Sequence, residues 1–321
     1  MQTLSQLSAI VDAELEKIDF PERPVQLYSP IKYVMRLGGK RMRPVLVLMA
    51  HQLFNDNIEK AISPAIGIEI FHNFTLLHDD IMDQAPLRRG KKTVHEKWNK
   101  NVAILSGDTM LVKSYDFLTN VDQVIIKQVL ATFNKSAILV CEGQQMDMDF
   151  ETQKDVSIRE YLKMIEYKTA VLFAASLQIG GITANASKDD QNNLFQFGIN
   201  MGIAFQLKDD LLDAFGDEAE FGKQIGGDIR ANKKTFLYLK ALQLANDKQR
   251  YDLTSYFSST NYSDQKVIGV KSIFTDLDIQ KHTLDMMKAY YTKAMKHLEA
   301  IDSNKKQPFF DFSQKLMVRI S

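Results

Sequence analysis

Asp79-Asp80-Ile81-Met82-Asp83 and Asp209-Asp210-Leu211-Leu212-Asp213 place three carboxylates at the same spacing twice in one chain. In a helix the first and last carboxylates of each cluster lie four residues apart and project from one face, one above the other. Like charges so placed repel by roughly 0.2–0.5 kcal/mol per pair. The neighbouring Phe74, Leu76, Leu77, Phe205 and Leu207 are apolar and do not solvate them. A cation must offset the repulsion. Magnesium suits these donors best, because it takes carboxylate oxygens, keeps several waters and is usually completed by substrate phosphates. Two such clusters on apolar helices point to a diphosphate held through bridging ions rather than to solvated acidic patches.

Cations accompany the carboxylates. Gly38-Gly39-Lys40-Arg41-Met42-Arg43-Pro44 sets three of them behind a glycine pair and ahead of an apolar helix. Glycine lets a backbone approach an anion, and Lys and Arg supply charge and forked hydrogen bonds suited to phosphate. Arg88-Arg89 follows the first acidic cluster, and Lys168-Thr169, Lys223 and Lys233 form a third basic group. Acid and base are arranged as if around a common polyanion.

The elements that must position these groups are helices. Apolar residues recur at three- and four-residue intervals, as in Ile66, Ile70, Phe74, Leu77 and Ile81, and sustained alternation of period two is absent. Gly and Pro cluster at breaks such as Pro21 to Pro24, Pro86 to Gly90 and Gly216 to Gly227, so long helices with short connections are expected. The polar stretch Thr183 to Asn193 is a candidate linker. A metal site drawing on both clusters requires the halves to pack together, however, and one domain over residues 1–321 is the expectation.

Composition narrows the classes. Forty basic and forty acidic residues cancel, so no global field argues for nucleic acid, and 45% hydrophobic residues supply an ample core. A lone Cys141 and an N-terminus without a secretion signal predict a reducing, cytoplasmic setting. Continuous apolar runs such as Pro44 to Ala50 fall short of the roughly 20 residues of a spanning helix, so no integral membrane segment is expected. His51 and His95 read as core or surface residues and His78 as packing beside the aspartates. Met146-Asp147-Met148-Asp149 lacks the His and Cys of a soft-metal site.

Taken together, His78 to Asp83 with Arg88-Arg89-Gly90, Gly38 to Pro44, Gly143-Gln144-Gln145-Met146-Asp147, Lys168-Thr169 and Phe205-Gln206-Leu207-Lys208-Asp209-Asp210 resemble the trans-isoprenyl diphosphate synthases, the polyprenyl synthetase family. The motifs keep the family's order and spacing from about Leu27 to Lys234. The resemblance implies an all-α bundle around a deep central cavity, the isoprenoid synthase type, working as a homodimer. It also implies three magnesium ions per active site around an allylic diphosphate. Asp79, Asp83 and Asp209 would be direct ligands, with Asp80, Asp210 and Asp213 supporting them or binding through water. Arg88, Lys168 and Lys223 would clamp the same diphosphate, with Gln144 and Asp147 beside it, isopentenyl diphosphate would sit on Lys40, Arg43, His72 and Arg89, and Lys233 is a further substrate-binding candidate.

The chemistry implied is head-to-tail condensation. The allylic carbon–oxygen bond ionises, isopentenyl diphosphate attacks the carbocation, and loss of a proton leaves a chain five carbons longer. Thr169, Gln206 and Phe205 are the groups expected to stabilise the cation, by oxygen lone pairs or a ring face. An aromatic residue five positions before the first aspartate, here Phe74, resembles the geranylgeranyl type. Thr75 and Phe71, four and eight before it, lie closer to the aspartate face of an ideal helix and share the candidacy for the cavity floor. The expected product is C20, with C15 second. A terpene cyclase and a non-catalytic partner subunit are the alternatives, and the retention of both aspartate clusters and of the cations Lys40, Arg43 and Arg89 disfavours them.

Overall fold

A computed structural model of the chain describes residues 2–216, 225–258 and 263–318. They are overwhelmingly helical, as the apolar period predicts. They fall into two compact units. The first draws on Met1–Lys135, Ala175–Phe195 and Ile301–Phe309, and the second on Ser136–Ala174, Gln196–Ala300 and Phe310–Ser321. The polar stretch Thr183 to Asn193 therefore lies inside the first unit and marks no boundary.

In the first unit, α1 (Leu4–Glu16), α2 (Val25–Met35) and α3 (Met42–Gln52) precede the long α4 (Glu59–Met82) that ends in the first aspartate cluster. Helix α4 packs along α6 (Lys100–Leu118), whose first turn is capped by Asn99. Gly67 permits that approach, since a Cβ there would lie 2.9 Å from the carbonyl oxygen of Ser114. Behind it, Phe71 is buried edge-on against Phe133 with ring centres 4.9 Å apart. Burying such a ring contributes about 1.5–3 kcal/mol.

One non-helical element interrupts this unit. Leu87–Arg88 and Lys91–Lys92 form an antiparallel hairpin, β1 and β2, with Arg88 opposite Lys91. Its two-residue turn has positive φ at both positions, Arg89 at 52° and Gly90 at 71°. That is the primed turn whose twist matches paired strands. The short helix α5 (Val94–Lys97) follows it.

In the second unit, α8 (Ile158–Ile165) begins with a capping box between Ser157 and Glu160 and runs without a break through a π-helical turn, Glu166–Ala170. The described elements with residues there are α7 (Gln123–Thr152), α9 (Val171–Thr183), α10 (Lys188–Phe215), α11 (Gly227–Arg230), α12 (Phe236–Leu244), α13 (Asp247–Ser258), α14 (Asp264–Asp276), α15 (Ile279–Ala300) and α16 (Gln307–Val318). Tyr161, Leu207, Leu211, Phe236, Leu253 and Phe274 belong to one core. Helix α7 differs from the expectation drawn from continuous apolar runs: it contains an 18-residue window of mean hydropathy 1.5, long and apolar enough to cross a membrane by length and composition. It carries Lys127 and Lys135 all the same.

Candidate active site

Both acidic clusters sit near the C-terminal end of a long helix. Asp79 and Asp80 lie in the last turn of α4 with Asp83 as its cap residue, and Asp209 to Asp213 lie in the last turns of α10. That end carries the negative pole of the helix dipole, so the carboxylates meet an unfavourable field besides their mutual repulsion. Each cluster is answered by its own surroundings.

In the first unit the answer is guanidinium. Arg88 Nε donates to both carboxylate oxygens of buried Asp80, at 2.8 and 2.9 Å, and its Nη2 lies 3.4 Å from Asp79 Oδ2. Burial raises the Asp80 pKa to about 6, with Arg88 working against the rise and Asp79 and Asp83 adding to it. The hairpin positions this contact. Its turn also sends Arg89 towards the glycine pair, where a Cβ on Gly39 would lie 2.8 Å from the Arg89 guanidinium. Gly39 thus makes room for a cation, a role different from the close approach to an anion expected of it.

The third cation of that loop is structural. Arg41 is buried with a left-handed φ of 47°, and it pairs with Glu69 at 2.7 Å and Asp12 at 3.0 Å. This pairing fixes the start of α3, and with it Arg43, whose Nη1 donates to His72 Nε2 at 3.0 Å. A guanidinium has no acceptor, so Nε2 must carry a lone pair and His72 is neutral. Its pKa is indeed pushed well below the usual histidine range, first by burial and then by Arg43, Arg89, Arg88 and Arg41. Arg43 and Arg89 near one neutral imidazole give a positive patch suited to a diphosphate, whereas Arg41 is neutralised by Glu69 and Asp12 and Arg88 by Asp80. Lys40 is exposed on the same loop.

The chain-length candidates lie on α4 as well. Phe74 is buried, 5.5 Å from the Phe71 ring and 4.7 Å from the His78 ring. Thr75 is half-buried and spends its hydroxyl on the carbonyl of His72. His78 packs beside the aspartates as expected, against Gly107, where a Cβ would lie 2.2 Å from His78 Nε2. His51 is a buried residue bonded to Thr183 and to the Asn57 carbonyl, and His95 is buried too.

In the second unit the anchor is the π turn. Gly143 of α7 comes so close that a Cβ would lie 2.2 Å from the backbone nitrogen of Lys168, and Gly202 of α10 so close that a Cβ would lie 2.5 Å from Ala170 Cα. Lys168 and Thr169 are therefore wedged from two sides. Lys168 Nζ donates to Asp147 Oδ2 at 2.7 Å, and Lys233 Nζ reaches the same oxygen at 3.3 Å and Glu151 at 3.1 Å. Burial pushes the Asp147 pKa up, but the two lysines outweigh it and hold the group below the usual range. Beside them Gln144 is buried, and its Nε2 finds no hydrogen-bond partner among the described residues. An orphaned buried donor one turn before Asp147 on α7 is a place for an anion's oxygen. Lys223, expected to join this clamp, lies outside the described residues.

The second acidic cluster is answered by neutral donors. Asp210 is buried; Tyr161 donates its hydroxyl to Oδ2 and Gln206 donates Nε2 to Oδ1 at 3.0 Å. Thr169 in turn donates its hydroxyl to Gln206 Oε1 at 3.1 Å. Burial and the negative charge of Asp228 raise the Asp210 pKa well above the usual range, with Tyr161 and Gln206 working the other way. Asp213 caps α11 by accepting the Asp228 N–H at 2.9 Å, and Phe205 packs on Phe173 with ring centres 5.7 Å apart. Lys208, buried next to Asp209, donates to the Leu316 carbonyl and so holds the end of α16. Sequence reasoning missed Tyr161, which lies 49 residues from its partner.

The donor set fits magnesium. Its ligand candidates, Asp79, Asp80, Asp83, Asp209, Asp210 and Asp213, offer carboxylate oxygens. Such a site suits an ion that keeps waters and takes substrate phosphates.

The chain as a whole is similar to known proteins. Residues 24–277 match the polyprenyl synthetase family. The chain is 37% identical to the geranylgeranyl diphosphate synthase of Sulfolobus acidocaldarius over 292 residues, covering 88% of this chain and 87% of that protein. It is also 37% identical to the geranylfarnesyl diphosphate synthase of Natronomonas pharaonis over 239 residues, covering 68% and 70%. A crystal structure of a geranylgeranyl pyrophosphate synthase superposes with a TM-score of 0.95 at 45% identity, with both chains fully covered. These matches favour chain elongation over the cyclase and silent-subunit alternatives. The chain belongs to the polyprenyl synthetase family, has its all-α isoprenoid synthase fold, and is a short-chain prenyltransferase.

Proposed function

We propose that the two units act as one catalytic domain that condenses isopentenyl diphosphate with an allylic diphosphate and stops at C20, with C15 the second reading. The observation that carries this is the presence of two separate cation sets, one around His72 and one on Asp147, alongside two aspartate motifs that each bury one aspartate. Arg43 and Arg89 around neutral His72, with Lys40 on the same loop, would take isopentenyl diphosphate. Lys168 and Lys233 on Asp147, with the spare donor of Gln144, would take the allylic diphosphate together with Arg88.

Asp79, Asp83 and Asp209, supported by Asp80, Asp210 and Asp213, would hold magnesium, three ions by family likeness. When bound, the ions supply Lewis-acid neutralisation of the departing diphosphate. This chain's cations share that work, stabilising charge as the allylic carbon–oxygen bond breaks and its electron pair leaves with the diphosphate. Thr169 and Gln206 present oxygens to the resulting carbocation, and Phe205 a ring face. The double bond of isopentenyl diphosphate forms the new carbon–carbon bond, and the released diphosphate accepts the proton lost from the adjacent carbon.

Buried Phe74, backed by Phe71, would close the floor for the growing chain. A position five residues before Asp79 lies about 7.5 Å along the helix axis from it. The enzyme is proposed to work as a homodimer in the cytoplasm. Exposed Ile104, Leu105 and Val112 on α6 give an apolar face for a second copy, and the lone Cys141 suits a reducing compartment. Incubation with magnesium, labelled isopentenyl diphosphate and dimethylallyl, geranyl or farnesyl diphosphate in turn, followed by separation of the dephosphorylated products by length, tests the reading. Accumulation at C20 is expected; failure to condense with any starter would overturn it.

A further inference from the structure

Tyr161 has no role in the reaction as described, yet its buried hydroxyl is spent on the second aspartate cluster. Its position follows from the π turn. At about 100° per residue, eight steps of α-helix would leave Thr169 roughly 80° past the face of Tyr161. The π turn takes up one residue and brings the two to within about 20° of each other. On α10, Gln206 and Asp210 are one turn apart. A four-membered ladder results, in which the Tyr161 hydroxyl and the Gln206 amide both donate to Asp210 while the Thr169 hydroxyl donates to the Gln206 carbonyl.

The orientation of that amide matters. The NH2 of Gln206 donates to Asp210 Oδ1, which leaves the amide oxygen beside Thr169. Thr169 donates its one hydrogen to this oxygen, so its lone pairs point away from the ladder. Were the amide reversed, its N–H dipoles would meet a developing cation. We propose that Tyr161 is a positioning residue: by holding Asp210, it fixes the Gln206 amide so that oxygen lone pairs of Gln206 and Thr169, and not N–H groups, face the allylic carbocation. Without the phenol, Asp210 Oδ2 loses its donor, the carboxylate is free to rotate, and the amide is no longer held in one sense.

This inference rests on the prenyl-transfer reading, and its test separates the two. In the full-length protein, Y161F is expected to lower kcat about tenfold with KM for both diphosphates within about twofold. It should also weaken binding of an allylic ammonium analogue, presented with inorganic diphosphate and magnesium, by about fivefold while leaving its neutral carbon isostere unchanged. Unchanged affinity for the ammonium compound, or equal weakening of both compounds, would overturn the inference. Should Y161F not fold, a neutron structure of the deuterium-exchanged wild-type protein decides: deuteriums of Gln206 on the Asp210 side support the assignment, and deuteriums facing Thr169 refute it. Wild-type protein that fails to condense any starter would instead sink the prenyl-transfer reading, and the neutron structure would still decide the amide.

Discussion

Asp80 in the first unit and Asp210 in the second occupy the same place in the same motif, and both are buried. Asp80 is held by a guanidinium, whereas Asp210 is held by a phenol and an amide. The difference lies in what each partner can do next. Arg88 is a full charge that touches Asp79 as well, and it can be drawn towards an arriving diphosphate. Tyr161 and Gln206 are neutral and short-reaching, so they give Asp210 direction without offering an anion a competing charge. The same position in the motif is thus held by a charge in the first unit and by neutral donors in the second.

Removing the charged partner has the largest expected effect. R88A leaves Asp80 buried without its cation and is expected to cost about 3 kcal/mol of stability, the lower end for such pairs because Arg88 is partly exposed. Urea titration at two salt concentrations checks this. The cost should shrink as ionic strength rises, because charge pairing is screened. For Y161F the expected loss is about 1–2 kcal/mol and independent of salt. Equal salt dependence of the two variants would erase the distinction between the clusters.

F74A separates the helices in another way, since only α4 carries the proposed floor. Products longer than C20, read by chromatography of the dephosphorylated chains, are expected together with a stability loss of about 3 kcal/mol for the emptied ring site. Unchanged product length would move the floor to Thr75 or elsewhere.

The smallest effect concerns acid. Burial lowers the His51 pKa, with the Asn57 carbonyl opposing the shift and Lys60 adding to it. The unfolded chain then takes up this proton first as pH drops below about 6.5, and stability is lost from that point downward. In H51Q the fall in melting temperature between pH 7 and pH 5 should be shallower than in the wild-type protein.

Some of this could be read from the residues alone. The i, i+4 aspartates and the helical period around Phe71 and Phe74 follow from spacing, and the family pattern put Lys168 and Asp147 around one diphosphate but did not give their bond to each other. What could not be read depends on distant or unusual backbone. Tyr161 meets Asp210 only through tertiary packing, and the π turn that aims it leaves no mark in the apolar period. The turn at Arg89-Gly90 puts an arginine in the left-handed region, where glycine or asparagine is the usual signal. Arg41 sits among phosphate-type cations in sequence but is consumed by Glu69, a partner 28 residues away.

In the proposed reaction both clusters serve one allylic diphosphate. Calorimetric binding of a non-ionisable allylic thiodiphosphate in the presence of magnesium, to wild-type protein, D79A and D209A, tests this directly. Loss of magnesium-dependent binding in both variants, by on the order of a hundredfold, is the predicted result. Wild-type affinity in D209A would contradict it and assign the two clusters to separate ligands.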